Sequence, residues 1–522
     1  MLRPRTVLPL SLCAAVLACG DSENALRRVE RGEARVTGRG VLVLAIDGLR
    51  YDRTSLGRSD RETTPFLREL AAEGAELSDL WSTMPERFDA HVSLLTGSDP
   101  LVARRPALPG ADRLDDPREW EMGRPLVVPR AAPSIAVDFL AHGWTTAAFA
   151  DHEDLARIRG VDRGFRDFYE VGGRGADDAR PGVGVFGVGR RFIDWLNARD
   201  LDEDWFAYVH MGDLERVFGY NALPVPRSWR PDPRPPQRLP VAHREPALGT
   251  LPRSRFPGDA ADVRDLELQY DAALLAVDAA LARIVRHVDE FGRKPLVTVV
   301  IVGTYGIPFG ESGLYLTPGL PDAPDLRVPC VIRPATGLGV LAGTHVDAIV
   351  SLVDIMPTLL ELSGIAVDDD LHGFSRAAEL RDPSAPSPRA AVFARTLLGR
   401  GAALVTEDEH WAVLTPASSA DSFAESWTGH RAVDTDFVVR ALRARQGARD
   451  AGSLGLQRAI LQDLGRWSEI AVAWRGWDAA AVAARDLLHF GPASGASSRP
   501  APVREEAAGL ARALRALQAR QP

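Results

Sequence analysis

The chain alternates short, fully apolar runs with longer segments of helical period. Residues 41–46 (Val-Leu-Val-Leu-Ala-Ile) contain no polar position. Such a run reads as a strand buried on both faces, the kind found in parallel sheets. It ends at Asp47, placing a carboxylate at the carboxyl end of a strand, where open α/β sheets keep their sites. Comparable runs at 145–150, 204–210, 295–303 and 327–333 predict further central strands. Between them, 64–74 predicts a helix with Thr64 as a hydroxyl cap, Pro65 in its first turn and Gly74 as its stop. Residues 134–144 predict another. In 185–199, Phe192, Ile193, Trp195 and Leu196 fall on one apolar side. In 262–291, Leu266, Tyr270, Leu274, Val277, Leu281, Ile284 and Val288 recur at three or four.

The pattern changes near residue 390. Short strand candidates appear at 391–396, 402–406 and 411–414, and 434–518 reads as helices with loops between them. Residues 219–258 are dense in Pro and Arg and fit no regular element, so they predict a long surface excursion, disordered or a lid, or else a partner-docking segment. Residues 1–19 carry Arg3 and Arg5 and then an apolar stretch too short to span a bilayer, which predicts an export signal. The signal ends Val16-Leu17-Ala18-Cys19, which resembles a bacterial lipobox with Cys19 as the lipidated residue; ordinary cleavage nearby without a lipid is the alternative. The predicted organisation is a signal (1–19), a polar tether (20–39), an α/β domain (40–385) and a C-terminal subdomain with helices (390–522).

With 522 residues of which 45% are apolar, the chain can bury a full core. A net charge of −9 argues against nucleic acid as a partner. Lys294 is the only lysine, as codon bias in a GC-rich genome would produce. Beyond Cys19 only Cys330 remains, so no disulfide framework is expected.

Several landmarks in order carry a resemblance. They are the strand ending in Asp47; Thr64-Pro65-Phe66-Leu67-Arg68-Glu69-Leu70-Ala71-Ala72-Glu73-Gly74; Ser93-Leu94-Leu95-Thr96-Gly97; and Arg163-Gly164-Phe165. Asp354-Ile355-Met356-Pro357-Thr358-Leu359-Leu360 and Leu371-His372-Gly373-Phe374-Ser375 follow. Over about residues 40 to 415 the chain resembles the sulfatase family, within the alkaline-phosphatase-like superfamily. The resemblance implies an α/β fold with a large, mostly parallel central sheet flanked by helices and a small C-terminal antiparallel α+β subdomain. It also implies hydrolysis of sulfate or phosphate esters by a covalent nucleophile beside a divalent cation.

Carried over position by position, that chemistry is largely missing. The first metal carboxylate falls on Asp47, but its neighbouring ligand falls on Gly48, which has no side chain. Counting back from Ser93, the nucleophile falls on Arg87, which is neither nucleophile nor cation ligand, and the motif's basic residue falls on His91. The late Asp and His fall on Thr304 and Tyr305, the following Lys on Thr317, and the second His after His210 on Glu215. Thr83-Met84-Pro85-Glu86-Arg87 mimics the nucleophile motif in another register, with Thr83 as nucleophile. Cys13 and Cys19 lie in the export signal, and Cys330 in a predicted core strand, so none is expected to be a formylglycine site.

The expectation is a dismantled metal site with no cofactor, in which Arg87 supplies the cation and pairs with Asp47. Blander roles compete: Asp47 as the cap of a turn, His91 as a helix-start or packing residue, His210 as a hydrogen-bonded core residue. His345 and His372 could approach the cleft. The reading that follows is a lipid-anchored protein of the bacterial cell envelope acting as a binding or scaffolding module, for an anionic ligand through Arg87 and His91 or for an envelope protein. The alternative is an active hydrolase or transferase of sulfate or phosphate esters, using calcium, magnesium, manganese or zinc, with Thr83 as nucleophile and Asp213 or Glu215 as replacement ligands.

Overall fold

The computed structural model describes residues 35–103 except 58 and 59, 105–106, 126–170, 185–216, 262–310, 315–316, 323–369 and 371–389. Pieces of 225–252 and the strands 392–395, 401–405, 410–414, 487–489 and 501–502 are described as well. Cys19, Thr317 and most of the expected tether lie outside the described residues.

A nine-stranded sheet runs through the centre. Its strands are β1 (Gly40–Ile46), β2 (Ala75–Trp81), β3 (Thr145–Ala150), β4 (Asp167–Glu170), β5 (Trp205–Met211), β6 (Val297–Gly303), β7 (Arg327–Arg333), β8 (Thr344–Val346) and β9 (Val350–Ser351). They lie in the order β8-β2-β7-β6-β1-β5-β3-β4, with β9 also beside β2. Only β7 runs against its neighbours, β6 and β2; the other pairings are parallel. This is the mostly parallel α/β sheet that the apolar runs predict.

The helices that cover the sheet are α1 (Pro65–Glu73), α2 (Arg87–Thr96), α3 (Ile135–Ala141), α4 (Val185–Asn197), α5 (Val263–Asp289) and α6 (Ile355–Leu362). Alternate residues of β1 feed two separate cores. Leu42, Leu44 and Ile46 pack with Phe192 and Trp195 of α4 and Leu274 of α5. Val41, Val43 and Ala45 pack with Val92 of α2, Phe139 of α3 and Leu359 of α6. Both faces are covered, so no position of the strand is free to be polar.

Three elements differ from expectation for clear reasons. Thr64 does not cap α1: its hydroxyl accepts the N–H of Ser55. Asp278 of α5 caps it instead, accepting the N–H groups of Phe66 and Leu67 at 2.8 and 2.9 Å. No periodicity argument finds a cap that comes from 212 residues away. Strand β2 reads Ala-Glu-Leu-Ser-Asp-Leu-Trp, too polar to be recognised, yet all seven residues are buried. Its polar side chains are all bonded: Glu76 to the Tyr51 hydroxyl, Ser78 to Asp347 and Asp79 to the Trp81 indole. The stretch 350–364, which around Asp354 to Leu360 resembles a helix of the sulfatase family, opens as β9 and a tight turn, and α6 begins only at Ile355.

Beyond the sheet, β10 (Val392–Arg395), β11 (Gly401–Val405), β12 (His410–Leu414), β13 (Leu487–His489) and β14 (Ala501–Pro502) form a five-stranded antiparallel sheet in chain order. The reading of 434–518 as helices is corrected at two places, because 487–489 pairs with β12 and 501–502 with β13; the rest of that range lies outside the described residues. The excursion at 219–258 is not wholly irregular. It holds a turn at Arg227–Trp229 and a two-residue parallel pair, Val241–Ala242 with Leu251–Pro252. Among the described residues, no helix is long and apolar enough to cross a membrane.

Candidate functional site

Asp47 follows the last residue of β1 and is fully buried. The register of the sheet sets Ile46 beside Met211 of β5 and Gly303 of β6. His210 and Thr304, at the same ends of the flanking strands, therefore arrive on either side of Asp47. Two more residues come from α2. Arg87 opens that helix, and His91, four residues on, faces the same way.

All four donate to the Asp47 carboxylate. His91 Nε2 lies 2.9 Å and Thr304 Oγ1 2.7 Å from Oδ1. His210 Nε2 lies 2.8 Å and Arg87 Nε 2.5 Å from Oδ2. A carboxylate offers about four lone-pair sites, and each has a protein donor. Asp47 is thus the centre of the cluster rather than the cap of a turn, and the expected Arg87–Asp47 pair is present.

The second layer fixes which atoms carry protons. The backbone N–H of Asp151 donates to His210 Nδ1 at 3.1 Å. Nδ1 therefore carries no hydrogen, and the ring proton sits on Nε2, facing Asp47. His91 Nδ1 meets the Tyr208 hydroxyl at 2.5 Å. Burial pulls His91 down to about 4, against the opposing pull of Asp47. Burial, with Asp47 beside it, lifts the Tyr208 phenol well above its usual range. Near neutrality the phenol accordingly donates to Nδ1, and His91 donates through Nε2. Burial alone would raise the Asp47 carboxyl, but His210, His91 and Arg87 outweigh it and hold the group well below the usual carboxylate range.

Arg87 spreads its fork outward. Beyond Asp47, its Nη1 lies 3.0 Å from Asp154, and its Nη2 contacts Glu215. Tyr305 donates to the other Glu215 oxygen at 2.5 Å, and Arg159 lies 3.4 Å from Asp154. Exposure grades from 0% at Asp47 through 11% at Arg87 to 28% at Glu215 and 32% at Asp154, so the last two form the solvent side. A cation at a helix N-terminus opposes the helix dipole; here the carboxylates on all three guanidinium nitrogens offset that cost.

Several candidates stand elsewhere or are constrained. Gly48 adopts φ +73°, and a Cβ there would lie 2.6 Å from Ile307 Cδ1, so the turn itself disfavours a ligand side chain. The Thr83 hydroxyl is buried and bonded to Ser93 at 2.7 Å. His372 accepts the Asp99 N–H, and His345 lies between Glu76 and Asp347. Asp213 opens the short helix that carries Glu215. Sequence reasoning missed Asp154, Tyr208 and the Asp151 amide. Asp151 directly follows β3, so the rule that sites gather at strand ends could have drawn attention to the 151–154 loop.

Asp47, His91 and His210 each present a ligand atom within 4.8 Å of the others, a spacing a metal ion could use. The family model described as Sulfatase matches residues 188–365. That stretch includes His210, Glu215, Thr304 and Tyr305 but not Asp47, Arg87 or His91. The chain is 32% identical over 102 residues to the extracellular sulfatase SULF-1 homolog of Drosophila melanogaster, which covers 20% of this chain and 9% of that protein. It is 27% identical over 124 residues to arylsulfatase K of Mus musculus, 24% of this chain and 22% of the relative. The chain therefore spans less than a quarter of the length of either relative. Its fold matches a phosphonate monoester hydrolase of Agrobacterium radiobacter with a TM-score of 0.57 at 18% identity, over 82% of this chain and 97% of that one. Residues 188–365 are thus similar to the sulfatase family, and the chain shares the mostly parallel α/β fold of that phosphonate monoester hydrolase.

Proposed function

We propose that this protein is a sulfatase-family module without hydrolase activity, exported, anchored through a lipid on Cys19, and serving as a binding or scaffolding component of the bacterial cell envelope. The observation that carries the reading is the Arg87 guanidinium seated on Asp47, 2.5 Å away. The family's chemistry needs a nucleophile and a divalent cation in this place, and Arg87 can be neither.

A divalent cation does not fit the residues present. Hard cations take several oxygen ligands, and Asp47 has no lone pair left over from its four donors. His210 cannot turn Nε2 toward a metal without moving its proton to Nδ1, where the Asp151 N–H already points. A fixed positive charge stands in the same space. An anionic ligand held by Arg87 and His91 is less favoured, since both ring nitrogens of His91 are bonded and three carboxylates already surround the guanidinium. An envelope protein partner is the reading kept.

The alternative is a metal-dependent hydrolase or transferase of sulfate or phosphate esters. The Asp47, His91 and His210 spacing and the names of the relatives favour it. One experiment separates the two. Protein from Gly20 onward is incubated with calcium, magnesium, manganese and zinc, desalted, analysed for metal and assayed on sulfate and phosphate monoesters. Neither bound metal nor turnover is expected. About one equivalent of a divalent ion, lost in Asp47→Ala, or hydrolysis that depends on Asp47, would sink the proposal. Loss of the membrane-fraction signal in Cys19→Ser would support the anchor.

A further inference from the structure

We infer that the mouth of this cluster is a guanidinium site whose resident occupant is the chain's own Arg87. The inference rests on the non-catalytic reading but adds a specific ligand chemistry to it. Each of the three guanidinium nitrogens meets a different carboxylate: Nε meets Asp47, Nη1 meets Asp154 and Nη2 meets Glu215. Those carboxylates come from three separate places, the end of β1, the turn after β3 and the short helix after β5.

One carboxylate on each nitrogen of a planar cation is the pattern of a fork, not of a sphere. A compact ion needs its ligands drawn in to about 2.0–2.6 Å. Here the two outer carboxylates are held on other partners: Arg159 donates to Asp154, whose own backbone N–H is tied to the His152 ring, and Tyr305 donates to Glu215. Asp47 is held by His91, His210 and Thr304. The acidic groups are thus positioned for a flat cation and restrained from closing around a small one. The buried end of the site selects the same chemistry, because His91, His210 and Thr304 leave Asp47 Oδ2 one direction for a further donor, and Arg87 Nε occupies it.

The test is chemical rescue. Arg87→Ala leaves three carboxylates facing an empty slot, and its melting temperature is expected to fall by about 5–10 °C. Millimolar methylguanidinium should restore most of that loss in the variant and leave the wild type unchanged. Sodium chloride at equal ionic strength, calcium and magnesium should not restore it. Rescue by the divalent ions, or none by methylguanidinium, overturns the inference. Arg87→Lys keeps a charge on Asp47 and covers the case in which the alanine variant does not fold. A lysine serves as a point charge and cannot reach all three carboxylates, so a lowered melting temperature is expected; one equal to wild type overturns the inference. These readouts are independent of the metal content and hydrolysis that test the non-catalytic reading.

Discussion

The backbone N–H of Asp151 meets Nδ1 of His210 across 3.1 Å, and this one bond decides what the Asp47 cluster can be. An amide N–H cannot become an acceptor, so Nδ1 must stay bare and Nε2 must carry the ring proton. Histidine 15N spectra should show His210 as the Nε2–H tautomer. Added zinc should leave that proton in place. A protonated Nδ1, or loss of the Nε2–H signal with zinc, would contradict the assignment of His210 as a donor.

Replacing Asp47 tests the cluster from its centre. Asp47→Asn keeps the shape but offers one acceptor oxygen, and its amide group turns donors either toward Arg87 and His210 or toward His91 and Thr304. Removing one partner of a buried charge pair costs roughly 3–5 kcal/mol, and Arg87 keeps only Asp154 and Glu215. Urea denaturation should report a loss of that size. A loss below about 1 kcal/mol, the range of exposed pairs, would mean that the cluster is looser than the distances say.

The C-terminal sheet is reached through a second buried ion pair. Arg389 lies 2.8 and 2.5 Å from the two oxygens of Asp354, and both residues are buried. Asp354 also accepts the N–H groups of Ser351 and Phe374. The pair therefore ties the start of α6 to the segment entering β10. Arg389→Met should cost roughly 3–5 kcal/mol and raise proteolytic cleavage near 382–395 before the main sheet is attacked. Unchanged cleavage there would show that the pair does not hold the two parts together.

The fold was legible where residues answer to their immediate surroundings, and it was hidden where they answer to distant ones. Residues 41–46 reveal a central strand because both of its faces are covered, and 327–333 reveals β7 to the residue. The polar letters of β2 conceal a strand whose hydrogen-bond partners, Tyr51 and Asp347, lie on other elements. The Arg87–Asp47 contact followed from motif register and the cost of an isolated buried carboxylate. The same register put Glu215 at the site without its bond to Arg87, and Asp154 was missed because a lone Asp in a turn carries no periodic or motif signal. The Asp151 amide had no signal beyond its place at the end of β3, since every residue but proline has such a group.

Two buried groups should respond to acid with opposite signs. Burial depresses His91 from 6.5 to about 4. Its contribution to stability is fully present above 6.5, where neither state is protonated, and is lost as pH falls toward 4, because only the unfolded chain then binds the proton. Asp278, capping α1, runs the other way. Burial raises it from 3.8 to about 6, despite the backbone N–H groups of Phe66 and Leu67. Its cost is complete above 6 and fades as pH falls toward 3.8, since the folded state binds the proton first. Between pH 7 and 4.5 each is worth about 2 kcal/mol by the one-unit equivalence, with opposite signs, so the wild type largely cancels them. The variants should not. On that pH change His91→Gln should gain about 2 kcal/mol relative to wild type, and Asp278→Asn should lose about the same. Taking the difference from wild type at each pH removes the remaining titrating groups common to all three proteins. Urea midpoints at pH 7 and 4.5 supply the numbers, and parallel shifts in both variants would mean that neither group titrates as its burial demands.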